Sequence, residues 1–417
     1  MCPDPAMRIE VLNTGSELLL GKTVNTHTAW IGRELFLLGL RIERQATVPD
    51  GVAIREAMAE AVDRCDALIV TGGLGPTSDD LTREITAEVL GIELITDESA
   101  LRSIEGFFAL RGRPMAEANL KQALCPVGAD VLSNPNGTAP GIYVPPRLNG
   151  RSRCAVFLLP GPPRELYPMF HAEVVPRLRA LSGIENPPAA LELKFTGIGE
   201  SDFHQGIDAR LAEVEGLEFG YCAHIGEVDL RLIGAPDVLG RAREIALESF
   251  HGFLVSEDGS SMEETVVRLL GERGMRLATA ESCTGGLIAN RITNVPGASE
   301  VYSCGFVTYA NEAKVSQLGV KEESLDRFGA VSEEVAKEMA AGALQAAHAD
   351  VAVSVTGIAG PGGGSEEKPV GTAWIGLAAR NGHVEAFRVY QPRNRHDFKL
   401  AVSQAALNAV RQFVLRQ

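Results

Sequence analysis

Aromatic residues make up only 6% of this chain, and its 39 Lys and Arg fall short of its 54 Asp and Glu, leaving a formal charge of -15. A polyanion is held by a surplus of Lys and Arg, so nucleic acid is disfavoured as a partner. A small phosphate is not, because one Arg and a few backbone N–H groups suffice to bind it. The seven cysteines (Cys2, Cys65, Cys125, Cys154, Cys222, Cys283, Cys304) are odd in number and scattered, without CxxC spacing or paired His ligands. That pattern points to a reducing cytosol rather than a disulfide framework. No apolar run reaches the length of a membrane span, and a strand-like run, Arg8 to Leu12, comes almost at once. Neither an anchor nor an export signal is therefore expected, and the protein reads as cytoplasmic with no membrane partner.

What the chain does have is length and α/β character. At 417 residues, 45% of them hydrophobic, it exceeds what one core supports, so two or three domains are expected. Residues 1–172 alternate strand-like and helix-like runs, among them RIEVLN, HTAWIGRELFLLG, LRIERQATV, DALIVTGG followed by a helix from Asp80, and AVFLLP followed by a helix near Pro163. That order predicts a doubly wound, parallel-rich sheet. Residues 173–257, after Pro187 and Pro188, predict a small α+β unit with strands in LELKFTGI, LEFGYC and EVDLRLI. VSEDGSSMEE reads as a second linker, with Ser260 or Ser261 capping a helix. Residues 258–417 return to α/β alternation, with strands in MRLATA, CGFVTY and DVAVSVTG, a helix from about Thr284, and a last helix near His396. An α/β/α layering is expected there.

In the first segment, GSELLLGKT imitates a phosphate-binding P-loop but fails on spacing, with five residues between Gly15 and Gly21 instead of four. TGGLGPTSDD is more informative. It follows a buried strand and precedes a helix, so the N–H groups around Gly72, Gly73, Gly75 and Thr77 can converge on a phosphate, with Asp79 and Asp80 placed to share a divalent cation. The plain alternative is a tight turn with an acidic helix start.

The strongest signal lies further on. AESCTGGLIA puts Ser282 at a sharp turn between strand and helix, with the N–H groups of Cys283, Thr284 and Gly285 facing any oxyanion that forms there. A helix N-cap is the structural alternative for this serine. VTYANEAK supplies Tyr309 and Lys314: a lysine whose pKa is lowered by burial can deprotonate a serine, with the tyrosine relaying the proton or orienting the amine. Solvated-face and strand-edge roles are the alternatives for these two. No histidine falls in these motifs except His396, which favours Lys314 as the base. Cys283, a thiol near a helix start, is the rival nucleophile. SVTGIAGPGGGSEEKPVGT is a strand running into a Gly-Pro loop able to wrap a phosphate through Thr356, Gly357 and Gly360, and Arg395 in RNRHDF can fork a phosphate.

Taken together, GSELLLG, TGGLGPTSDD, NGTAPG at 136–141 and LPGPPRE at 159–165, followed by AESCTGG, VTYANEAK, GAVSEEVA, SVTGIAGPGGGSEEKPVGT and RNRHDF, resemble the competence/damage-inducible CinA family over nearly the whole chain. The resemblance implies a molybdopterin-binding-like first domain, a KH-like middle domain and a nicotinamide-nucleotide amidase as the third. For the third it implies hydrolysis of nicotinamide mononucleotide to nicotinic acid mononucleotide and ammonia, with no metal or organic cofactor. For the first it implies an ADP-ribose pyrophosphatase using a divalent metal ion (Mg, Mn or Co) near Glu17, Asp79 and Asp80, with phosphate contacts extended to Gly15, Ser16, Asn136, Gly137 and Thr138. Molybdopterin handling by the first domain, or a scaffold for competence and recombination proteins, are the alternatives. The KH-like segment has no two glycines at GxxG spacing, so a structural or dimerising role is expected there, and a homodimer overall.

Overall fold

The computed structural model describes residues 7–148, 152–185 and 187–417. Cys2 lies outside them. The chain falls into two compact units, 1–187 and 188–417.

The first unit is built on strands β1 (Ile9–Thr14), β2 (Ile42–Val48), β3 (Ala67–Thr71), β4 (Leu94–Thr96), β5 (Leu124–Pro126), β6 (Asp130–Leu132), β7 (Gly141–Val144) and β8 (Ala155–Leu159). Six of these form one sheet in the order β2-β1-β3-β8-β7-β6, while β4 and β5 pair separately. The four strands from β2 to β8 run parallel, and β7 and β6 add an antiparallel edge. Alternate residues of the central strands bury into opposite layers: Ile9, Val11, Ile69 and Phe157 on one face, Leu12, Leu68, Val70 and Val156 on the other. Period-two burial on both faces is what a helix-covered parallel sheet requires.

Two expected boundaries move. The helix after TGGLGPTSDD begins at Thr82 instead of Asp80, because the Asp80 carboxylate turns back onto the Thr77 N–H and hydroxyl. The helical run that starts at Pro163 continues through a π turn, Phe170–Val174, to Ser182, so residue 172 lies inside it. Its buried face, Leu166, Met169, Phe170, Val174 and Leu178, stays in one core throughout.

The second unit contains two sheets. Strands β9 (Ala189–Thr196), β10 (Glu218–His224), β11 (Glu227–Gly234) and β12 (Leu254–Ser256) make an antiparallel sheet in the order β10-β11-β9-β12. Strands β13 (Leu277–Glu281), β14 (Tyr302–Val307), β15 (Val351–Gly357), β16 (Thr372–Ala379) and β17 (Val384–Tyr390) follow in the order β14-β13-β15-β16-β17. The first three of that order are parallel, and β16 and β17 close the sheet antiparallel. Ser261 and Glu264 form a reciprocal capping box that starts the helix Met262–Arg273. The helix expected from Thr284 begins only at Leu287. Gly285 and Gly286 take φ of 62° and 91°, a left-handed backbone that cannot sit inside a right-handed helix. No helix among the described residues is long and apolar enough to cross a membrane.

Candidate functional site

Three parallel strands deliver the second unit's cavity. In the order β14-β13-β15, the chain leaves β13 toward one neighbour and returns to the other side, so a crevice opens at the carboxyl ends. Ser282 follows β13 directly, Thr308 and Tyr309 follow β14, and Thr356 and Gly357 end β15. A cavity of about 180 Å³ opens there, lined by Ser282, Cys283, Tyr309, Asn311, Lys314, Ala330, Val331, Thr356, Gly357, Ala359 and Arg395.

Lys314 is 1% exposed. Its Nζ donates to the Thr308 carbonyl at 2.9 Å and the Tyr309 carbonyl at 3.2 Å, and stands 3.2 Å from Ser282 Oγ. Burial pushes the pKa of this amine below the ordinary lysine range, with the nearby Cys283 and Glu312 acting weakly the other way. In the neutral amine two protons satisfy the two carbonyls and the lone pair faces the serine hydroxyl. That is the arrangement a general base needs. The Ser282 carbonyl and N–H are both engaged, with Gly285 N–H and Val355 O respectively, which pins the turn.

The oxyanion set is smaller than the sequence suggests. Gly285 N–H points to Ser282 O at 3.2 Å and is not free. Among the described residues no backbone carbonyl accepts from the Cys283 or Thr284 N–H. The Cys283 thiol is buried against the apolar core, which pushes its pKa up to about 12. Burial that keeps a thiol neutral makes it a weaker nucleophile, which favours the Ser282 hydroxyl over the cysteine alternative.

Tyr309 is placed differently from expectation. Its backbone carbonyl holds Lys314, while its phenol accepts from Arg395 Nη2 at 2.9 Å. Among the described residues no hydrogen bond joins the phenol to Lys314, and the tyrosine holds the amine through its main chain. The second Arg395 nitrogen donates to the Gly360 carbonyl at 2.9 Å, fastening the Gly-Pro loop to the start of the last helix, Arg395–Leu415. Gly360 itself does not line the cavity. The Thr356 hydroxyl donates to Ala330 O at 2.7 Å, so only its lone pairs face a ligand.

Sequence reasoning missed Glu281. This fully buried carboxylate precedes the serine and accepts from Ile288 N at 3.0 Å and Ala289 N at 2.8 Å, capping the helix Leu287–Thr293. A glutamate beside a strand-to-helix turn is the only signal the sequence gives of it.

The first unit has its own cavity, about 350 Å³, at the carboxyl ends of β1, β3 and β8. Of the expected phosphate contacts, Gly15, Gly72, Gly73, Gly75, Thr77 and Thr138 line it, while Ser16, Asn136 and Gly137 do not. Ser16 is tied to Asp50 by reciprocal bonds, the Asn136 N–H is on Asn134 Oδ1, and Gly137 backs onto Glu165, where an added Cβ would lie 1.8 Å from Oε2. The Leu74 carbonyl is held inward by the buried Arg83 and by Gln122, both at 3.3 Å, so the N–H of the same peptide, that of Gly75, faces the opposite way. Glu17, Asp79 and Asp80 line the cavity with Asp50 and Glu165, and no Lys or Arg does. Among the described residues no three acid, His or Cys side chains come together as a ready metal cage. Carboxylate oxygens suit a hard cation held by one or two of them, with phosphate and water completing its shell.

Two family models match the chain: "Probable molybdopterin binding domain" over residues 10–180 and "CinA C-terminal domain" over 259–414. A "CinA-like protein" of Akkermansia muciniphila is 50% identical over 403 residues, covering 96% of both chains. The chain belongs to the CinA family. A second relative, named as a competence-damage inducible protein of Symbiobacterium thermophilum, is 49% identical and spans 90% of this chain and 89% of its own. A crystal structure of the competence/damage inducible protein CihA from Agrobacterium tumefaciens is 45% identical, covers 38% of this chain and 98% of its own, and has a TM-score of 0.36. The two family models cover the two cavities, one in each unit.

Proposed function

We propose that the second unit hydrolyses the carboxamide of nicotinamide mononucleotide, yielding nicotinic acid mononucleotide and ammonia. The observation that carries this reading is the buried Ser282–Lys314 pair at the end of β13. The neutral Lys314 amine takes the proton of the Ser282 hydroxyl as the oxygen attacks the carboxamide carbon. The amides of Cys283 and Thr284 receive the developing oxyanion. Lys314 then passes its proton to the departing nitrogen, ammonia leaves, and water cleaves the acyl-serine to regenerate the enzyme. Arg395, fixed between Tyr309 and Gly360, grips the 5′-phosphate of the substrate. No metal or organic cofactor enters these steps. The reading is tested by incubating the purified protein with nicotinamide mononucleotide and a chelator and measuring ammonia and the acid product. Stoichiometric release of both is expected, and absence of release would end it in favour of a scaffold for competence or recombination proteins.

For the first unit we infer a second hydrolytic activity on a nucleoside diphosphate sugar of the ADP-ribose kind. A wall with five carboxylates and no basic side chain supports a ligand that comes with a cation. A divalent ion (Mg, Mn or Co) held by Glu17, Asp79 or Asp80 would neutralise the diphosphate, while the Gly75 N–H and the glycines after β3 hold its oxygens. ADP-ribose cleavage assayed with each metal and with chelator decides between this and a molybdopterin-type ligand, which the first family model favours. We take the protein to work as a cytoplasmic homodimer, a state that light scattering measures directly.

A further inference from the structure

The antiparallel sheet of the second unit contributes nothing to the cavity around Ser282, yet side chains join the two. Arg291 lies on the helix Leu287–Thr293, which leads out of the Ser282 turn. Its guanidinium donates to Ser403 Oγ at 2.8 Å and Gln404 Oε1 at 2.6 Å on the last helix, and to Glu263 at 2.7 Å. The other end of the Gln404 amide donates to Glu227 Oε2 at 2.7 Å, at the start of β11. Glu227 is in turn 3.4 Å from Lys194 of β9, whose ammonium also pairs with Asp229 at 2.8 Å. Gln404 is 4% exposed, so leaving either end of its amide without a partner is costly. One end only accepts and the other only donates, and the two partners therefore fix its orientation. The hairpin presses close at this point: Gly226 has φ of +77°, and a Cβ on it would stand 3.2 Å from Gln404 Cγ.

Gln404 sits nine residues beyond Arg395 on one continuous helix. At 1.5 Å per residue that is about 13 Å, so a tilt of about 5° at Gln404 shifts the first turn by about 1 Å. A misplacement of that size is enough to weaken substrate positioning.

We propose that the β10–β11 hairpin is a positioning element for the hydrolytic site: Glu227, through Gln404 and Arg291, seats the last helix against the helix that follows Ser282 and so sets where Arg395 stands over the cavity. None of the three lines that cavity, and all three are positioning residues. The proposal rests on reading the Ser282 cavity as the nicotinamide mononucleotide site, and it gives the small α+β sheet a task within this chain.

The test compares Glu227→Ala with Glu227→Gln in the full-length protein. Glutamine keeps an acceptor for the Gln404 amide, and alanine does not. For Glu227→Ala the KM for nicotinamide mononucleotide should rise about threefold to thirtyfold with kcat held within about twofold, and Glu227→Gln should restore the wild-type value. Amide hydrogen exchange over residues 394–403 should accelerate in the alanine variant alone. Wild-type KM and exchange in both variants would overturn the proposal, as would equal losses in both, which would mean general damage to the fold. If the wild type releases no ammonia, the reading of the site fails, and the exchange measurement still decides whether the hairpin holds the helix.

Discussion

Lys314 Nζ stands 3.2 Å from Ser282 Oγ across 32 residues of sequence, inside a pocket where the amine is almost wholly buried. Two backbone carbonyls from the end of β14 hold it there, so its position depends on main chain and not on other side chains. The base is thereby aimed at one oxygen, and its proton affinity is lowered by the same burial.

That burial fixes the sign of the pH dependence. The neutral amine is the working form, so kcat/KM should fall as pH drops below the folded-state pKa of Lys314 and level off above it. Because desolvation lowers that pKa, the midpoint should lie below the ordinary lysine range. A midpoint at or above that range contradicts the assignment. Lys314→Arg, protonated throughout, should lose activity by about 10³-fold or more while the fold survives.

Tyr309 offers a separation of roles. Tyr309→Phe leaves the carbonyl that holds Lys314 and removes only the hydroxyl on Arg395. We expect KM to rise by about two- to tenfold, with kcat nearly unchanged, as for loss of one hydrogen bond that orients a binding group. A collapse of kcat would instead place the phenol in proton transfer.

Glu281→Ala should destabilise the protein by about 2–3 kcal/mol, because a buried and a half-buried amide at the start of the helix Leu287–Thr293 lose a charged acceptor. A thermal melt against the wild type reads this directly. An unchanged melting temperature would show that the cap is dispensable.

Much of this was legible in the amino-acid sequence, and what was not has identifiable causes. Ser282 and Lys314 stand out because a serine at a strand end and a lysine one helical turn beyond the next strand leave few other pairings. The start of the following helix is misread because AESCTGGL carries helix-compatible residues up to two glycines, whose left-handed backbone delays the first turn to Leu287. Nothing local announces that Arg395 meets the Tyr309 hydroxyl 86 residues earlier, since that contact exists only once the last helix packs on the sheet. The same holds for the Glu227–Gln404 bond, which spans 177 residues. In the first unit, motif spacing picked out Gly15, Gly72, Gly73 and Gly75, which line the cavity, but could not tell that Gly137 backs onto Glu165 or that Ser16 is turned to Asp50.

The two cavities should respond independently. Chelation is expected to stop ADP-ribose cleavage and leave ammonia release from nicotinamide mononucleotide intact. Gly137→Ala, whose new Cβ would collide with the buried Glu165 carboxylate, should impair only the first activity. Loss of both in either experiment would contradict the assignment of one activity to each unit.

The nucleophile is read most directly by comparing ammonia release from nicotinamide mononucleotide by wild type, Ser282→Ala and Cys283→Ser, each shown to be folded by circular dichroism. We predict that Ser282→Ala loses activity by about 10³-fold or more while Cys283→Ser retains most of it. Full activity in Ser282→Ala would contradict the central claim.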